Sequence, residues 1–165
     1  MRVAFVSMYT THHRNRGAMR RTRRTATLLA ERGHDVTIHC TRWWDGDIPA
    51  FEQDGITYRA VTDQPAPGAF ASKLPFSLRK SDPDVIQVVN QSPSHVTAAN
   101  TAGRFLRAPV VVDWWWFDGD GSRPARRRTA RVPSLVVTPS RTVRTQVIEF
   151  GGDDTDVRVI PEPVD

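Results

Sequence analysis

The sequence predicts an α/β fold, an open and mostly parallel sheet of about seven strands with helices on both faces. Three observations carry this. Short runs rich in Val and Ile recur at 2–8, 35–40, 56–61, 84–89, 110–113, 134–138 and 157–160. Most read as continuously apolar rather than alternating, the pattern of strands covered on both faces. Between them lie segments with helical spacing, and a strand–helix–strand rhythm builds a parallel sheet through right-handed crossovers.

Each element follows from local chemistry. Residues 2–8 (RVAFVSM) form the first strand and run into a polar loop. Gly17–Arg32 sets Ala18, Thr22, Ala26, Leu29 and Ala30 at helical spacing, and Gly33 stops the helix. DVTIHC (35–40) and ITYRAV (56–61) are strands. The Pro-, Gly- and Ser-rich stretch 63–82 holds FASKLPFSLRK, expected to be a helix broken at its proline. DVIQVV (84–89) is a strand, and a helix over 94–107 starts beside Pro93. Residues 110–113 and 134–138 are strands, separated by a basic helix over 123–131. Ser140 caps a helix that reaches Phe150 and stops at Gly151-Gly152, and VRVI (157–160) is the last strand. This is a Rossmann-like arrangement, with its functional loops at the carboxyl ends of the strands: 9–17, 41–47, 90–93, 113–122 and 139–141.

Composition narrows the function. With 39% hydrophobic and 25% charged residues the chain is globular, and no apolar run nears the length of a membrane span. The apolar start turns polar too soon for a signal peptide. The lone cysteine, Cys40, excludes a disulfide framework and a thiolate metal cluster, so a cytoplasmic setting is expected. The net charge is +5, and Lys73 and Lys80 are the only lysines. The arginines gather in RNRGAMRRTRR (14–24) and RPARRRTAR (123–131), which suits anionic partners as well as a plain solvated face.

Four segments, in chain order, resemble family 4 glycosyltransferases of the two-domain GT-B type. Arg32–Ile38 (RGHDVTI) is similar to that family's RGHxVTV stretch, and Pro83–Ile86 (PDVI) to its strand entry. Leu135–Ser140 (LVVTPS) resembles its strand-to-helix turn, and Arg158–Asp165 (RVIPEPVD) its exit into the interdomain linker. The resemblance implies an amino-terminal, acceptor-side domain over residues 1–160, with the linker starting at 161–165 and the donor-binding domain outside this chain. It further implies a retaining transfer of sugar from a nucleotide-sugar to an acceptor hydroxyl, a lipid-linked one included, by the full-length enzyme; the domain alone is expected to be inactive. Cofactors, bound metal and nucleic acid are not expected. Peripheral attachment to the inner face of the cell membrane, through FASKLPFSLRK and the 123–131 helix, fits a lipid-linked acceptor.

The departures from the family pattern matter. Its Gly-Gly pair is Arg16-Gly17 here, and its His-x-His pair is Gln87 and Val89. Its histidine after the fifth strand, seen as DWH in some members, falls on Trp115 of VVVDWWWFDGDG (110–121). The candidate binding residues are Arg16, Gly17 and Arg20, where a helix amino terminus favours an anion, with Asn90, Trp114 and Trp115 on the acceptor rim. Asp113 and Asp118 are candidate catalytic groups. Alternation puts Trp114 and Trp116 on one side and Trp115 on the other, so at least one indole is expected to be structural. Asp45-Gly-Asp47 and Asp118-Gly-Asp120 read as turns, His12-His13 lacks a third ligand at metal spacing, and His95 is expected to be partly exposed. A carbohydrate- or anion-binding module without activity, and an arginine-rich nucleic-acid binder, are the alternatives. No G-x-G-x-x-G follows the first strand, which disfavours a dinucleotide enzyme.

Overall fold

The computed structural model describes residues 1–115 and 122–161. Eight strands form one sheet in the order β3-β4-β2-β1-β5-β6-β7-β8. They are β1 (Arg2–Val6), β2 (Asp35–Thr41), β3 (Ala50–Gln53), β4 (Ile56–Thr62), β5 (Val85–Val89), β6 (Val110–Asp113), β7 (Leu135–Thr138) and β8 (Val157–Val159). All pairings are parallel except β3 with β4. The helices are α1 (Gly17–Glu31), α2 (Pro67–Ser81), α3 (Pro93–Leu106), α4 (Arg123–Arg131) and α5 (Arg141–Glu149).

Strand alternation sorts the core into two faces. Val3 and Phe5 of β1 pack with Val36, Ile38, Ile56 and Tyr58 against Ala26 of α1. Ala4 and Val6 point the other way, into a larger cluster with Phe70, Leu74 and Leu78 of α2, Val96 and Ala99 of α3, Ala130 of α4 and Val147 of α5. Among the described helices α1 therefore covers its face alone. The chain leaves β1 toward β2 on one side and reaches β5 on the other, so the strand order reverses at β1. A crevice opens at such a point, beyond the carboxyl ends of the strands.

Two elements differ from expectation. The eighth strand, β3, is AFEQ, too short and polar to stand out. It pairs with β4 through Asp54-Gly55, both at positive φ (54° and 72°), the backbone of a primed hairpin turn. α2 is continuous for 15 residues through Pro75. The buried Phe70, Leu74, Ser77 and Leu78 hold both halves of that helix to the sheet, so the loss of one backbone donor does not end it.

α2 also satisfies a buried histidine. Ser81 Oγ donates to the Leu78 carbonyl (3.0 Å), so it accepts from His39 Nε2–H (3.0 Å), while Ser77 Oγ donates to His39 Nδ1 (2.8 Å). Burial, with Arg59 adding to it, pushes the His39 pKa down to about 3. His95 is 1% exposed rather than at the surface, because its ring fills the gap between α3 and Phe70 with Nε2 3.3 Å from the Pro67 carbonyl oxygen. Burial lowers its pKa to about 4. Burial also raises the Cys40 thiol far out of its reactive range.

Both imidazoles stay neutral in the fold, whereas the unfolded chain protonates them below about pH 6.5. Their stabilisation is complete above that pH and is lost as pH falls toward the folded values. Urea unfolding should show a loss on the order of 3 kcal/mol for each ring between pH 7 and pH 4. His39→Gln should remove its share of that slope. An unchanged slope in the variant would contradict the assignment.

Candidate functional site

The loop after β1 is fixed at the crevice by its neighbours. Gln91, just past β5, accepts from the Tyr9 backbone N–H (3.4 Å) and donates to Ser7 Oγ (3.2 Å). Ser7 Oγ in turn donates to the Tyr9 carbonyl (2.5 Å). His13 Nδ1 accepts from the Thr10 N–H (3.1 Å), and burial lowers the His13 pKa, so the ring is neutral with its proton on Nε2. The His12 ring stacks on Trp43 at 3.5 Å between centroids and 5° between planes. Trp43 packs edge-on against Trp44, Phe51 and Tyr58, an aromatic ledge at the end of β2.

α1 begins where this loop ends. Its N-cap, Arg16, has extended backbone and makes no side-chain cap, and no acid lies in the first turn. The amino-terminal partial charge is thus uncompensated by any helix carboxylate, and Arg16 and Arg20 add to it from exposed positions. The Trp115 indole lies directly on Gly17: a Cβ there would come within 2.8 Å of Trp115 Cζ3. One turn on, Arg21 points inward. Its Nε is 3.6 Å from Oδ2 of Asp113, with the acid wholly buried and the arginine side chain 11% exposed. The same guanidinium donates to the Ile160 carbonyl (2.8 Å) and lies 5.9 Å from the Trp115 ring centroid. One arginine joins α1, the end of β6, and the chain as it leaves β8.

The chain matches the glycosyl transferase 4-like domain over residues 16–163. It belongs to that family. No curated protein matches it in sequence. In structure it is similar to sucrose-phosphate synthase from Thermosynechococcus elongatus, at 11% identity and a TM-score of 0.78, covering 98% of this chain and 48% of that one. It is also similar to Anabaena HepE in complex with UDP-glucose, at 20% identity and a TM-score of 0.68, covering 100% and 44%. The lipopolysaccharide outer core galactosyltransferase WaaB follows, at 15% identity and a TM-score of 0.64, covering 99% and 46%. The chain thus spans about half the length of these proteins, and at such identities the likeness is one of GT-B fold.

Within this family framework the structure puts Gly17 and Trp115 in contact, with Arg16 at the N-cap beside them and Asn90 at the end of β5 on the same carboxyl edge, while Arg20 lines a surface hollow beside α1 with Thr11, Asn15 and Arg24. The Asn90 N–H donates to the Asp113 carbonyl (3.0 Å), which fixes the residue at the end of β5. Trp114 is a correction. It is 1% exposed, in the core with Phe150 at 6.4 Å, because its position continues the inward face of β6. Asp113 sits at the edge but beneath Arg21, shut off from solvent. Trp116, Asp118 and Asp120 lie outside the described residues. Asp45–Asp47 is a turn around Gly46 (φ 85°), whose carbonyl accepts from Arg42 (2.7 Å). Among the described residues no three His, Cys, Asp or Glu side chains are placed to hold a metal ion. Arg21, Gln91 and the His12–Trp43 stack carry site geometry that the sequence reading did not assign. Trp43-Trp44 at the end of a strand is the one sequence signal that pointed to any of them.

Arg21→Met leaves Asp113 buried without its guanidinium, and chemical denaturation should show a loss of roughly 3 kcal/mol. Adding Asp113→Asn should recover part of that loss, and strict additivity would mean the two are not coupled. Gly17→Ala tests the indole contact. Its Cβ must push Trp115 aside, so the Trp115 indole N–H resonance should shift while stability changes by no more than about 1 kcal/mol. An unmoved resonance would show that the ring does not rest on Gly17 in solution.

Proposed function

We propose that this chain is the acceptor-side half of a retaining GT-B glycosyltransferase that moves a hexose from a nucleoside diphosphate donor to an acceptor hydroxyl. The observation that carries the reading is the acid-free amino terminus of α1, flanked by Arg16 and Arg20 and opening at the sheet's carboxyl edge. Family membership, together with relatives described as bound to UDP-glucose or as a galactosyltransferase, supports sugar transfer. The bond from the anomeric carbon to the diphosphate oxygen breaks, and the acceptor oxygen bonds that carbon on the same face as its hydroxyl proton passes to the departing diphosphate. Negative charge grows on the leaving diphosphate, where the Gly17 N–H, Arg16 and Arg20 stabilise it. Asn90 orients the acceptor, and the outer face of Trp115 receives a sugar ring. The buried Asp113 is assigned no proton transfer. The rest of the donor site belongs to a second domain outside residues 1–165, so this chain alone does not turn over.

A lipid-linked acceptor at the inner membrane surface fits the outer side of α2 and α3. Phe76 is 73% exposed between Lys73 and Lys80, and Phe105 is 85% exposed between Arg104 and Arg107. Exposed aromatic rings among cations suit an anionic bilayer. No described helix is long and apolar enough to cross one. The seating of Trp115 on Gly17 favours a second reading, a module that binds a carbohydrate or anion without transferring it.

The deciding assay incubates the intact protein with UDP- and GDP-hexoses and acceptor lipids extracted from its own cell, and reads the anomeric configuration of the product. Transfer with retention is expected, falling about 100-fold in kcat in an Arg16→Ala, Arg20→Ala double variant, with none from residues 1–165 alone. Anionic vesicles should sediment the wild type and lose a Phe76→Ser, Phe105→Ser variant. Binding of donor or sugar without turnover in the intact protein would install the module reading, and full activity in Trp115→Ala would remove the indole from the mechanism.

A further inference from the structure

On the opposite face of the sheet from α1, the packing of α3 against α4 leaves a small recess lined by Thr97, Asn100, Arg104, Arg128 and Thr129, with Thr101 at its side. Asn100 is only 7% exposed, and its Nδ2 has no hydrogen-bond partner among the described residues. A buried amide donor left unmatched is costly, and such groups commonly mark a ligand or ion position. No carboxylate lines the recess. Among the described residues neither Arg104 nor Arg128 makes an ion pair, although both are arginines, the side chain best shaped to grip an oxyanion.

The position of the two cations in the last turns of α3 and α4 is favoured by the helix dipoles alone. That does not explain the buried amide between them. The Thr101 and Thr129 hydroxyls donate to the Thr97 and Ala125 carbonyls of their own helices (3.0 Å each), so their protons are already committed. The donors left to a ligand are therefore two guanidiniums, the Asn100 amide and the Thr97 hydroxyl, a cationic set that matches the oxygens of a phosphoryl group.

We infer that the α3–α4 recess is a phosphate-binding site, separate from the rim at α1 and holding the phosphoryl group of a soluble phosphate ester or of a phospholipid headgroup. The inference does not rest on the glycosyltransferase reading, because neither the recess nor its test involves the sugar-transfer rim.

The test uses the intact protein and follows the Asn100 side-chain amide resonances during titration with inorganic phosphate, and separately with vesicles containing phosphatidylglycerol. A saturable shift with inorganic phosphate, weakened about tenfold or more in Arg104→Gln, Arg128→Gln and unchanged in Arg16→Gln, Arg20→Gln, would establish the site and a soluble ligand. A shift that appears only with anionic vesicles, and is lost in the same α3–α4 variant, would establish it with a lipid headgroup as the source. No saturable shift with either, or a shift that persists in a folded Arg104→Gln, Arg128→Gln protein, would overturn the inference. Both substitutions are at exposed positions, and thermal unfolding of the variant confirms that its fold is retained.

Discussion

Asp113 ends β6 inside the protein, where a carboxylate can keep its charge only if a cation comes with it. Arg21 is that cation, and its position dictates much of the surrounding edge. To reach Asp113, α1, whose body packs over β2 and β4, must bring its amino-terminal turns toward the carboxyl end of β6. The guanidinium also holds the Ile160 carbonyl, so the exit of the chain from β8 is referenced to the same pair. A parallel sheet specifies strand order through its ladders, but it leaves the loops at its carboxyl edge comparatively free. Here one buried ion pair removes that freedom across α1, β6 and the segment after β8.

The pair also explains why consecutive residues meet different fates. Asp113 faces α1, so Trp114 must face α2–α5, where it joins the core beside Phe150. Trp115 then falls on the α1 side again, and the space above Gly17 is where it fits. A side chain at residue 17 would exclude it, which makes the single glycine of the turn a packing requirement rather than a torsional one, since Gly17 is not among the residues at positive φ. The seat of the Trp115 ring thus depends on Asp113, two residues back, and on Gly17 across the crevice.

The parallel α/β class and the places of most strands and helices were legible because they follow from apolar runs and punctuation, which are local properties; the strand order is set by pairing between distant segments and was not. The edge strand β3 escaped because four residues of AFEQ carry no pattern of their own; its pairing is set by the Asp54-Gly55 turn and by the exposed edge of β4. α2 was read as broken because Pro75 is a local signal, while the contacts of Phe70, Leu74 and Leu78 that override it are tertiary. In the site, strand alternation separated Trp114 from Trp115 correctly but did not say which side was core. Arg21 was indistinguishable in sequence from Arg20 and Arg23. Only the helix phase makes Arg20 exposed, turns Arg21 toward Asp113 and leaves Arg23 beside Asp54 at 3.6 Å.

Electrostatics gives the indole a role beyond filling space. The first turn of α1 presents unpaired N–H groups without an acid, and Arg14, Arg16 and Arg20 raise the positive potential there. An aromatic face carries the negative part of a quadrupole, so a ring laid on that turn is a weak, uncharged substitute for an anion, helped by the Arg21 guanidinium 5.9 Å from its centroid. Such a contact contributes about 1 kcal/mol. A diphosphate bearing two or more charges at the same helix end is held more strongly than that, with direct N–H donation added. In the proposed reaction the arriving donor therefore displaces Trp115 from Gly17 at small cost, and the ring, still attached to a β6 that Arg21 keeps in place, moves only as far as the edge of the anion it has yielded to. That is where a sugar face needs an indole.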